Sequence, residues 1–249
     1  MDARHGDSPV IRIGCAGWSI ATRHAALFGD GHSALARYAT RFSVVEVNST
    51  FYRRHRPDTY VRWAEAVPRA FRFSVKLPKA ITHDARLVGS GSAIRAFAQE
   101  TAGLGAKLGG VLVQLPPSLA FDARVAGTFF RQLRAAFDVP IACEPRHSSW
   151  FEPRVDALWE RHVVARVSAD PPVPEGAGAP GGAGRWSYFR LHGAPVMYYS
   201  AYEDARLAEI ARALRAIARP RRPAWCIFDN TAHSHAIEDA ARLQSLLGG

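Results

Sequence analysis

Eight short runs rich in β-branched and aromatic residues recur along the chain, and stretches of helical periodicity separate most of them. The runs cover residues 10–15, 44–48, 71–77, 110–115, 139–144, 163–168, 186–192 and 224–228. The clearest helix expected between them spans 92–108, with Ser92 as its N-cap and Gly109 as its stop. Residues 122–137 place Val125, Phe129, Leu133 and Phe137 on one face. Residues 204–218 do the same with Leu207, Ile210, Leu214 and Ile217, and 231–247 turn Ile237, Ala241 and Leu243 inward. Shorter helices are expected at 33–41, 58–67 and 151–162.

Strands that alternate with helices form parallel sheets. Eight units in 249 residues give about 31 residues each, which suits a single (β/α)8 TIM-type barrel of class α/β occupying residues 1–249. The sixth connection is irregular, because 171–184 holds Pro171, Pro172, Pro174 and Pro180 with five glycines. A doubly wound sheet is the rival. Gly14-Cys15-Ala16-Gly17 lacks the G-x-G-x-x-G spacing that a dinucleotide-binding version of it needs.

No apolar stretch is long enough for a membrane span, and Met1 to Ser8 are polar rather than the start of a secretion signal. Cys15, Cys143 and Cys226 are odd in number and sit in apolar runs, so they read as reduced thiols of a cytoplasmic protein. The formal charge is +10, and only Lys76, Lys79 and Lys107 among the basic residues are lysines. Arginine forks bind phosphates and carboxylates well, yet the only compact basic blocks are 53–56 and 219–222.

Barrel enzymes work at the C-terminal ends of their strands. Six of the eight runs end in polar groups. Glu46 and Asn48 share a face, as do Ser74 and Lys76, and Arg190 and His192. Gln114 and Glu144 close their strands, Arg146 and His147 follow the latter, and Asp229 and Asn230 follow the last. Glu46, Glu144 and Asp229 face Lys76, Arg146 and Arg190, so the mouth is nearly neutral. Such a set is either a self-satisfied ion network or a pocket in which cations hold an anionic oxygen while Glu moves a proton. No H-x-H or H-E-x-x-H pattern lies on a strand, and His233 and His235 do not share a helix face; no metal site and no cofactor are expected. Trp18, Phe51, Tyr52, Trp150, Tyr198, Tyr199 and Tyr202 cluster near the same loops, as packing groups or as stacking surfaces. The 89–92 loop, Gly-Ser-Gly-Ser, reads as a plain N-cap loop with a weak phosphate-cradle alternative.

Ordered motifs carry a resemblance. They are Val45-Glu46-Val47-Asn48-Ser49-Thr50-Phe51-Tyr52, Ile81-Thr82-His83, Gln114-Leu115-Pro116-Pro117-Ser118, Glu144-Pro145-Arg146-His147-Ser148-Ser149-Trp150, Arg190-Leu191-His192-Gly193 and Phe228-Asp229-Asn230-Thr231. From Ile13 to Leu247 the chain resembles the domain of unknown function 72 family, also called YecE-like. The resemblance implies a TIM-type barrel and no established reaction. Arg53 to Arg56 and the 171–184 stretch depart from the family's pattern. The family-like positions are Glu46, Asn48, Thr50, Tyr52, Lys76, His83, Gln114, Glu144, Arg146, His147, Trp150, Arg190, His192 and Asn230. The first reading is an enzyme doing acid–base chemistry on a small polar or anionic substrate. In it Glu46 and Glu144 carry protons, and Lys76, Arg190 and His192 hold the developing negative charge. Asn48, Thr50, Tyr52, His83, Gln114, Arg146, His147, Trp150 and Asn230 would contact the substrate. The alternatives are a nucleic-acid-binding or processing barrel and a non-catalytic ligand-binding barrel.

Overall fold

The computed structural model describes residues 10–183 and 185–248. The polar residues 1–8, and Gly184 of the Pro/Gly-rich stretch, lie outside them. Its strands are β1 (Ile11–Ala16), β2 (Val44–Val47), β3 (Arg72–Lys76), β4 (Leu108–Gln114), β5 (Ile141–Glu144), β6 (Val164–Arg166), β7 (Ser168–Asp170), β8 (Gly181–Gly182), β9 (Ser187–Leu191) and β10 (Ala224–Phe228). The helices are α1 (Ala34–Tyr38), α2 (Pro57–Glu65), α3 (Gly91–Thr101), α4 (Ala123–Ala136), α5 (Asp156–His162), α6 (Asp204–Ile217) and α7 (His235–Gly248). The sheet order is β7-β9-β10-β1-β2-β3-β4-β5-β6-β8.

The fold is the expected α/β barrel. Its sixth stave is the one departure from a continuous strand. Residues 163–168 were expected to form one run; the chain instead breaks at Val167. Its first half, β6, pairs with β5 and its second, β7, pairs with β9, both in parallel. Val167 N–H donates to Cys143 O at the break (2.8 Å), and this switch of neighbours brings the two ends of the sheet together. The stretch after β7 is indeed no helix: it returns as β8, antiparallel to β6.

Alternation along each strand builds two cores. Ile13, Cys15, Val45, Val47, Phe73, Val75, Val111, Val113 and Cys143 face the helices. The interior face of the barrel is apolar in its lower half, where Ala16, Val44, Leu112, Ala142, Val167, Trp186, Tyr188, Trp225 and Ile227 pack together. Higher up, the same face carries Glu46, Ser74, Lys76, Glu144 and Arg190, all buried.

The helix expected over 92–108 differs in both its ends. It starts at Gly91, so Ser92 lies inside it, and Ser90 takes the cap position with helical φ/ψ and no side-chain cap bond. After Thr101 the chain tightens into 3-10 turns over Ala102–Lys107. Gly109 does not end the helix, because it already lies in β4. There the register with β3 slips, so that Phe73 faces Leu108 and Ser74 faces Gly110. Two tryptophans explain the glycine pair. A Cβ on Gly109 would stand 2.6 Å from Trp225 Cη2, and one on Gly110 would stand 2.5 Å from Trp186 Cη2. The last helix begins at His235, four residues later than expected. The 151–162 stretch is α5 preceded by 3-10 turns, since Pro153 opens a new turn. The helix expected over 122–137 begins at Ala123, and Asp122 caps it: its carboxylate accepts from Arg124 N and Val125 N, both at 2.9 Å.

The Trp186 ring cannot yield, being wedged edge-on against Tyr188 and Trp225 (centroids 4.9 and 5.0 Å). Gly110→Ala is therefore expected to cost about 1–3 kcal/mol of stability, read from the urea midpoint at unchanged slope. A wild-type midpoint would show that the barrel floor is loosely packed.

Candidate functional site

The barrel mouth is organised around one arginine. Arg190, on the inward face of β9, is fully buried. It donates four hydrogen bonds to three carboxylates. Nε and Nη2 form a fork on Glu46 (3.0 and 2.8 Å), Nη1 reaches Glu144 Oε2 (2.5 Å) and Nη2 also reaches Asp229 Oδ2 (2.8 Å). Each acid comes from a different stave: Glu46 is the last residue but one of β2, Glu144 ends β5 and Asp229 follows β10. Tyr188, two residues before Arg190 and on its face, donates its hydroxyl to Glu46 Oε2 (2.8 Å). Burial alone would push Glu144 up, but Arg190, His192 and Arg146 hold it well below the usual carboxylate range. Asp229 is lowered by the same balance, with Arg190 opposing the effect of burial.

His192 continues the inward row one step above Arg190. Its Nδ1–H donates to the Asp229 carboxylate (3.2 Å). Nε2 lies 3.4 Å from Glu144 Oε1, close enough to feel its charge but without hydrogen-bond alignment, and among the described residues it has no hydrogen-bond partner. Burial acts to lower its pKa, but Glu144 and Asp229 outweigh burial and raise it.

Lys76 ends β3. Its Nζ donates to the neutral Asn48 Oδ1 (3.0 Å) and sits over the Phe51 ring, 4.2 Å from the centroid. Among the described residues no carboxylate lies within ion-pair distance of it. Burial, followed by repulsion from Arg190, pushes its pKa down to about 8. Thr50 fixes this corner from below, since its hydroxyl serves both Val47 O and Lys76 O (2.7 and 2.6 Å). Arg146 reaches back to Glu144 Oε1 through Nε (2.8 Å), and its Nη2 donates to Tyr198 OH (3.1 Å). The Tyr198 ring meets the His192 ring edge-on at 5.4 Å.

The expected residues thus divide. Glu46, Asn48, Lys76, Glu144, Arg146, Arg190 and His192 converge in the mouth. His83 borders it, hydrogen-bonded to Thr82 Oγ1 (2.8 Å) and edge-on to Phe51 (4.9 Å), with Lys76 and Arg146 close enough to lower its pKa further after burial has done so. Gln114 ends β4 beside Glu144 in register. The others are engaged elsewhere. Trp150 is buried, stacked on Trp159 and bonded to Leu119 O (2.8 Å). His147 caps the 3-10 turn at Ser148–Phe151 through Nδ1. Asn230 Nδ2 ties Asp239 and Ser200 together (2.7 and 2.9 Å), and Tyr52 is largely exposed. Three members of the mouth are absent from the expected site residues: Asp229, noted only as a polar group after the last strand, Tyr188 and Tyr198. Tyr188 was legible, at two-residue spacing before Arg190 and His192; Tyr198 arrives from a loop with no periodicity to announce it. Among the described residues, no group of three or more His, Cys, Asp or Glu side chains is arranged to hold a metal ion.

Comparison with known proteins agrees with this architecture. The sequence profile of the family described as "Protein of unknown function DUF72" matches residues 12–249. The UPF0759 protein YecE of Escherichia coli K12 is 33% identical over 143 residues, 57% of this chain, and the match spans only 50% of that relative. A DUF72 family protein from Enterococcus faecalis V583 superposes with a TM-score of 0.78 at 25% identity, covering 96% of each chain. One from Thermotoga maritima MSB8 gives 0.80 at 20% identity, over 96% of this chain and all of that one.

The mouth fixes the pH dependence of stability. Glu144 and Asp229, both lowered, contribute stability that is present above about pH 4 and lost as pH falls through their folded values. His192, raised, contributes stability that is full below about pH 6.5 and lost as pH rises through its folded value. His192→Gln should therefore cost more stability at about pH 5.5 than at about pH 9, measured by urea unfolding of both proteins. An equal loss at both values would mean that folding leaves the imidazole at its ordinary pKa.

Proposed function

The chain belongs to the DUF72 family of proteins of unknown function, and we propose that its barrel mouth performs acid–base chemistry on a small polar or anionic substrate. One observation carries the reading. Once Arg190 has satisfied Glu46, Glu144 and Asp229, the Lys76 amine is left facing only an amide oxygen and an aromatic ring. A lysine that changes charge near pH 8 is matched to proton transfer in neutral solution. Glu46 and Glu144 suit another role than the proton carrying first expected of them. Their oxygens are engaged by arginine, and Glu144 is held strongly ionised. In this proposal they are the fixed anions that orient Arg190 and His192. Lys76 and Nε2 of His192 exchange protons, and the ammonium form of Lys76 attracts the anion that Asn48, His83, Gln114 and Arg146 help to hold.

A cytoplasmic setting suits this reading. The three cysteines are unpaired and buried, and among the described residues no helix is long and apolar enough to cross a membrane.

The test is thermal unfolding of the wild type and of Lys76→Met with inorganic phosphate, sulfate and small carboxylates. An anion at 100 times its Kd should stabilise the wild type by about 2.7 kcal/mol, and the variant should lose most of that response. Equal responses in the two proteins would place the anion elsewhere. Stabilisation by oligonucleotides alone, falling steeply with salt, would replace the proposal with a nucleic-acid surface.

A further inference from the structure

The chain contains three lysines, and the structure treats them differently. Lys79 is exposed and paired with Asp84 (2.7 Å). Lys107 donates to the backbone oxygens of Ala64 and Val67. Of the three, Lys76 lies in the barrel, 4% exposed, with no anion bonded to it among the described residues. The charged groups acting on it are Arg190, which disfavours its ammonium form, and the more weakly felt Glu46, Asp229 and Glu144. Asn48, bonded to it, and His83, close enough to feel its charge, are partly open to solvent, as is Arg146 of the same mouth. A desolvated amine beside a second cation is the arrangement that makes lysine a nucleophile at neutral pH.

We infer that Lys76 condenses with the carbonyl carbon of a small carbonyl compound that also carries a carboxylate or phosphate, the anionic group being held by Arg146. This deepens the acid–base reading of the same mouth and rests on it. The Nζ lone pair attacks the carbonyl carbon, the C–O π pair moves onto oxygen, and the proton lost by nitrogen ends on that oxygen. The resulting hydroxyl takes a proton from the imidazolium of His192 and leaves as water. The nitrogen lone pair then closes the C=N bond of a protonated Schiff base, and His192 recovers its proton from solvent. The neighbours fit each step. Arg190 disfavours the ammonium and frees the lone pair. Glu46, Glu144 and Asp229 offset the new iminium charge. Arg146, braced by Glu144 and Tyr198, keeps its Nη1 uncommitted in the hydrogen bonds of the mouth.

The experiment treats the full-length wild type with pyruvate and sodium cyanoborohydride, which reduces the iminium to a stable secondary amine. Tagging is followed at each lysine by peptide mass spectrometry at about pH 7.5, where roughly a quarter of Lys76 is free amine against about one part in a thousand of an ordinary lysine. Lys76 should be tagged at least roughly tenfold faster than Lys79 or Lys107, and Lys76→Arg should abolish that tag while leaving the tagging of Lys79 and Lys107 unchanged. Even tagging of the three lysines, or none at Lys76, would overturn the inference. If tagging fails while phosphate still stabilises the wild type through Lys76, only the Schiff-base step falls; if both fail, the acid–base reading falls with it. Acetone tagging Lys76 as fast as pyruvate would overturn the role given to the anionic group.

Discussion

The Arg190 guanidinium, removed from water and bonded to Glu46, Glu144 and Asp229, is the interaction on which the mouth of this barrel depends. Burying any one of these charges alone would cost several kcal/mol. Together they satisfy one another, and they do so across the barrel, joining β2, β5, β9 and the end of β10. A planar fork suits this task because several N–H groups point outward at fixed angles; an ammonium would offer a single point of charge. Removing Arg190 would leave carboxylates unpaired in a dry interior, so the network acts as a unit.

The apolar layer beneath explains why the polar layer can exist. Trp186, Trp225 and Tyr188 fill the barrel floor against Gly109 and Gly110, which excludes water from below and leaves the charged layer open only upward. Tyr188 links the layers, with its ring in the apolar floor and its hydroxyl on Glu46. Low dielectric strengthens each ion pair above this floor and lowers the pKa of the one amine left without a carboxylate. Structural self-satisfaction and chemical readiness are therefore compatible here. The carboxylates and Arg190 are fully engaged, and the engagement leaves Lys76 and His192 Nε2 as the groups free to act.

Much of the architecture was legible in the chain itself, because a parallel barrel writes each stave as a short apolar run and each polar strand end at a two-residue spacing. Glu46 with Asn48 and Arg190 with His192 were assigned to shared faces on that ground alone. What the spacing does not contain is who pairs with whom. Glu46 and Arg190 are 144 positions apart, and only barrel closure joins them. The same limit hid the split of the sixth stave at Val167, which depends on two different neighbours competing for one strand. Gly109 reads as a helix stop because a glycine demanded by an indole, which an added Cβ would meet at 2.6 Å, looks the same in sequence as one demanded by a left-handed turn. Trp150, His147 and Asn230 carry family-like motifs yet hold loops and core in place, a role that residue type alone does not separate from substrate contact.

Burial and Arg190 together push the pKa of one lysine of the three down to about 8. Lysine side-chain NMR across a pH series measures this directly, since three lysines give three resolvable Cε signals. The account predicts that one signal, missing in Lys76→Arg, titrates near pH 8. All three signals titrating together near the ordinary lysine value of about 10.4 would contradict it.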